Sequence, residues 1–132
     1  LKNRNIDKLT SFSGDDEISG FIDTFQSSNE AYSYILEIDG YLTQFLEKKT
    51  ISPIASSGLL TFSSSNEFLR IYNASHKEID SLSESYMSAL VNSSLDKGCK
   101  YKINYNKCIN DTIVLGTPED YCKAYTLEST GL

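Results

Sequence analysis

Three side chains here could act as nucleophiles, metal ligands or redox partners: Cys99, Cys108 and Cys122, all in the last 34 of 132 residues. Eight and thirteen residues separate them, which matches neither a C-x-x-C redox turn nor the cysteine spacing of a structural zinc site. The one histidine, His76, lies on a different stretch, so no metal and no cofactor are expected. A disulfide within the tail fits these residues best. Bridging Cys108 or Cys99 to Cys122 closes a loop of about 15 to 25 residues, which stabilises by on the order of 3 kcal/mol in the loop-entropy account. The odd count leaves one thiol free or paired with another chain. Such a bridge implies an oxidising, extracytoplasmic location: periplasm, secretion or a cell-surface ectodomain. The alternative is three reduced thiols in the cytosol.

Other catalytic sets do not assemble. His76 precedes Asp80 by one helical turn, which is half of a dyad, but ordinary helices offer this pairing constantly. No G-x-S-x-G elbow raises any of the serines to a nucleophile. Asp15, Asp16 and Glu17 are adjacent in sequence, so on a helix they cannot flank a substrate as a pair of carboxylates must. Gly-rich phosphate loops and calcium loops are also missing from the sequence. The Asn73, Asn92 and Asn110 sequons decide nothing in a chain this rich in serine. An enzyme is therefore the least favoured class.

Charge is more informative about partners. The formal net charge is −6. From Leu9 to Glu47 there are eight acids and no lysine or arginine, whereas Lys97 to Lys107 holds four lysines and no acid. An acidic block repels nucleic acid and anionic membranes, whose binding depends on neutralising phosphates. Two candidate partner surfaces follow: Asp15, Asp16 and Glu17 on one side, and Lys100, Tyr101, Lys102 and Tyr105 on the other. The second interleaves cations with aromatic rings, suited to an acidic protein surface or to the chain's own acidic block.

The elements that must position these residues read as helices. Ser13-Gly14-Asp15-Asp16 looks like a capped helix start, and Ile18, Phe21, Ile22 and Phe25 follow at helical spacing. After a break near Ser28, the stripe Ala31, Tyr34, Ile35, Ile38, Leu42, Phe45 and Leu46 suggests a second helix, with Gly40 costing about 1 kcal/mol inside it. Thr50 to Ser64 reads as a packed crossover. A rod from about Asn66 to Leu95, capped by Ser65, is the longest helix expected. Residues 100–115 admit a short hairpin. Thr117-Pro118-Glu119-Asp120 then opens a short final helix that should turn Tyr121, Cys122 and Tyr125 inward.

These readings predict one domain over residues 1–132, all-α, with a helical body at 13–96 and a cysteine-containing tail at 97–132. The architecture expected is an elongated antiparallel bundle of three long helical segments plus the short C-terminal helix. No stretch is long and apolar enough to span a membrane. The function expected is non-catalytic: an extracytoplasmic helical binding or sensory domain with a protein partner. An acidic inhibitor or immunity protein, neutralising a basic secreted toxin, is the alternative.

Overall fold

The structure, a computed structural model, describes residues 12, 17–81, 87–105 and 114–129. It is built on a five-stranded barrel. The strands are β1 (Gly20–Gln26), β2 (Tyr34–Ile38), β3 (Tyr41–Leu46), β4 (Ile54–Phe62) and β5 (Tyr101–Tyr105). Helices α1 (Ser65–Asp80) and α2 (Met87–Leu95) separate β4 from β5, and α3 (Pro118–Ser129) follows. The strands close in the order β1-β4-β2-β3-β5. All neighbours run antiparallel except β5, which returns parallel to β1.

The expected all-α bundle is therefore wrong, and local chemistry says why. Ile38-Asp39-Gly40-Tyr41 places Asp39 at φ 53° and Gly40 at φ 82°, the two positive values of a type I′ hairpin turn. An Asp-Gly pair between apolar, β-prone runs is the strongest short hairpin signal, and here it joins β2 to β3. The carboxylate of Glu37 also accepts the Gly40 N–H at 2.7 Å. The glycine that a helix would tolerate at a cost is the one this turn requires. In β1, Phe21, Ile22 and Phe25 satisfy helical spacing only because the strand is buried along nearly its whole length. Apolar residues then fall on both faces, and periodicity cannot separate the two readings.

The crossover at Thr50–Ser64 contains β4, whose alternation is broken by a bulge. Ile22 opposes Leu60 but Thr24 opposes Ser56, so Ser57, Gly58 and Leu59 together face Asp23. Gly58 takes φ 85° there, a conformation that favours glycine. Asp23 is fully buried. Its carboxylate accepts bonds from the Ser57 hydroxyl and, at 3.0 Å, from the Asn104 amide.

The long rod is two helices. α1 ends at Asp80 and α2 begins at Met87. Its cap is Ser64, one residue earlier than expected, with the side chain accepting the Glu67 N–H at 3.0 Å. Both helices lie on the barrel. Ile71, Ile79, Leu90 and Val91 share one core with Ile22, Ile35, Leu42, Phe45, Cys99 and Tyr101. Asn92 on α2 accepts the backbone N–H of Phe45 at 2.9 Å, so the helix covers the β3 edge that β5 joins only at Tyr41.

In the segment expected to be a tail, β5 completes the barrel. It pairs with β1 and β3 rather than in a local hairpin; the other half of the hairpin expected at 100–115 falls largely outside the described residues. Thr117 caps α3 as expected. Its hydroxyl accepts the Asp120 N–H at 3.1 Å, and Asp120 accepts the Thr117 N–H at 3.2 Å. The inward face expected for α3 is not found: Tyr121, Cys122 and Tyr125 are exposed. Cys99 and Cys122 are free thiols, the first buried and the second exposed, which overturns a bridge through either. Cys108 lies outside the described residues. No described helix is long and apolar enough to cross a membrane.

Candidate functional site: an apolar groove between α1 and α2

Helical spacing on α1 builds a ladder of rings. Phe68, Tyr72 and His76 follow one another at i, i+4 and i+8, so they rise along one side of the helix. Phe68 and Tyr72 stack with centroids 6.4 Å apart, and Tyr72 and His76 at 5.3 Å with only 20° between planes. The foot of the ladder rests on the barrel, where Phe62 meets Phe68 edge-on at 5.0 Å. Across from it stand Met87 and Leu90 of α2. Between the helices opens a groove of about 220 Å³, lined by Phe68, Tyr72, His76, Ile79, Asp80, Met87 and Leu90.

Its walls are apolar and its far end is polar. Tyr72 and Met87 are each 44% exposed, and Leu69, beside them on α1, is 52% exposed. Neighbouring apolar side chains left in water on one face mark a binding surface more often than isolated ones do. His76 does not bond to Asp80 as half of a dyad. Its Nδ1 lies 3.2 Å and 3.1 Å from the carbonyls of Tyr72 and Asn73, which accept the proton of that nitrogen. The carboxylate of Asp80 is thus an acceptor at the end of an apolar slot.

Two polar clusters elsewhere on these helices are used internally. Glu67 accepts two bonds from Arg70, at 2.8 Å and 2.6 Å. That contact holds the Glu67 carboxyl below its ordinary value and raises the guanidinium. Arg70 also donates to the buried Cys99 sulfur at 3.3 Å. Between the helices, Lys97 donates to Ser75 at 3.0 Å, Glu78 at 3.0 Å and Ser93 at 3.1 Å. The bonds from Ser93 and Lys97 lower the Glu78 carboxyl. Both are cross-braces, with their charges already matched.

The surfaces expected from sequence come out differently. Asp15 and Asp16 lie outside the described residues, and Glu17 is exposed beside the Glu67–Arg70 cleft. The Lys/Tyr cluster is split by strand alternation. Lys100 is exposed, but Tyr101 is 1% exposed, with its hydroxyl 2.8 Å from that of Ser94. Lys102 sits 5.7 Å from the ring of Tyr41, and Tyr105 ends β5. A single rod from Asn66 to Leu95, as the sequence suggests, leaves no room for such a groove. Because α1 ends at Asp80 and α2 begins at Met87, Phe68 and Tyr72 stand across a gap from Leu90.

No family model and no curated protein matches the chain. Among solved structures, the fold is similar to that of a nucleoside-diphosphate-sugar pyrophosphorylase from Vibrio cholerae RC9, with a TM-score of 0.67 and 22% sequence identity. The match covers 80% of this chain and 46% of that one, so this chain spans less than half of its structural neighbour. That likeness carries the fold alone. With the barrel itself, it overturns the helical binding or sensory domain, and with it the acidic-helix inhibitor.

Proposed function

We propose that this barrel is a docking module which receives a ring-bearing or branched apolar side chain of a protein partner in the α1–α2 groove, and that it binds rather than catalyses. The observation that carries this reading is the half-exposed Phe68–Tyr72–His76 ladder facing Met87 and Leu90 across about 220 Å³. A slot of that size accommodates one anchoring side chain, and interfaces concentrate their energy in such anchors. The polar rim of Asp80 and His76 gives the anchor an orientation. An extracytoplasmic location is a separate proposal, and neither Cys99 nor Cys122 supplies a bridge to support it.

Met87 is the only methionine, so protein labelled with ¹³C at the methionine methyl reports from the groove through one NMR signal. N-acetyl-leucinamide and p-cresol, analogues of leucine and tyrosine side chains, should shift that signal in a saturable way. A Leu90→Ala variant, with its wall removed, should respond more weakly. UDP-glucose serves as the probe for the activity named for the structural neighbour. A Met87 signal that moves with UDP-glucose and ignores both side-chain analogues would replace the docking reading with a nucleotide-sugar site.

A further inference from the structure

Among the described residues, α3 has no floor beneath its tyrosines. Tyr121 is 62% exposed and Tyr125 is 66% exposed. α3 packs substantially against no other described element, and its lead-in is held by Val114 on the cluster of Phe25, Tyr34 and Ala55. A twelve-residue helix is marginal in water when nothing covers it. Tyr121 and Tyr125, four residues apart, share one side of this helix, and Cys122 lies at its border.

We infer that the occupant of the groove is α3 of a second copy, exchanged reciprocally about a two-fold axis. This rests on the docking reading above and names its partner. The chemistry matches in kind: the groove is an apolar slot ending in a carboxylate acceptor, and a tyrosine is an apolar ring ending in a hydroxyl donor. Both halves lie on every chain, so one exchange implies the reverse exchange, as an isologous dimer requires. Area decides between one contact and two. An exposed tyrosine offers about 150 Å², so the α3 face with the groove rim of Leu69, Tyr72 and Met87 comes to roughly 600 Å² per copy, at the lower edge of stable interfaces. A single, unreciprocated contact provides about half of that and falls short.

The test uses the full chain. Sedimentation velocity should show the 14.8 kDa monomer giving way to a dimer as concentration rises. Tyr125→Glu and Tyr72→Glu, both at solvent-exposed positions, should each hold the chain monomeric with unchanged circular dichroism. Mixing the two variants leaves one intact contact of the two, so the mixture should associate far more weakly than the wild type. Alkylation of Cys122 by iodoacetamide should slow as wild-type chain is concentrated, and should stay fast in Tyr72→Glu. A chain monomeric at every concentration would sink the second-copy assignment; if Met87 still responds to the side-chain analogues, the groove reading survives with another partner. Dimers that both variants leave intact, with Met87 deaf to the analogues, would sink both.

Discussion

At the scale of the residue, the barrel depends on Gly20 and Tyr101, which touch. A Cβ built on Gly20 would stand 2.1 Å from the carbonyl oxygen of Thr61 and 3.3 Å from the ring of Tyr101. The nearer obstacle is backbone in the paired strand, so no rotamer change relieves it. Gly20→Ala should therefore cost about 3 kcal/mol, at the upper end for overpacking, read as a lowered urea midpoint. Tyr101 gives a pH signature. Burial pushes its phenol up from 10.0 to about 12, partly opposed by the Ser94 bond. The folded state thus holds the proton where the unfolded chain has lost it. The stabilisation is fully present below pH 10 and declines toward pH 12, by on the order of 2 kcal/mol. Urea titrations across that window should show the decline in the wild type and a shallower one in Tyr101→Phe.

At the scale of the element, the most consequential bond is the one from the Phe45 N–H to Asn92. Barrel strands must satisfy every edge group or cover it, and α2 does this for β3 with one amide oxygen. Asn92→Ala strands a backbone donor against the helix and should lower stability by about 2 kcal/mol. Asn92→Asp keeps an acceptor and should recover most of the loss, both read by thermal melts. The same bond commits the Asn92 side chain, and Ser94 of that sequon is buried. Elements with a strong local signal were legible: Thr117 and Pro118 announce α3, and the α1 start was misplaced by one residue. The strands were hidden for physical reasons. β1 is buried on both faces, β4 is broken at Gly58, and the helical stripe drawn through Gly40 overrode its own turn chemistry. The groove could not be seen at all, because it is a property of the angle between two helices.

At the scale of the molecule, the barrel shares its interior with two helices. A closed sheet of five short strands leaves one side for α1 and α2, and it is those helices that present the groove. The acidic balance of −6 works against like copies approaching, so the proposed dimer should tighten when salt is added, the reverse of an interface built on opposite charges. Sedimentation at two ionic strengths reads the sign directly. The parallel seam between β1 and β5 has a further consequence, in time rather than space. Gly20 pairs with Tyr101 and Thr24 with Tyr105, so these contacts enclose most of the chain, and their loop-closure entropy must be met before they return anything. The seam should then form last. Ile103→Ala should speed unfolding while leaving the refolding rate nearly untouched, in stopped-flow chevrons. A chain emerging from the ribosome would hold an open sheet until β5 appeared, with the β1 edge exposed throughout that wait.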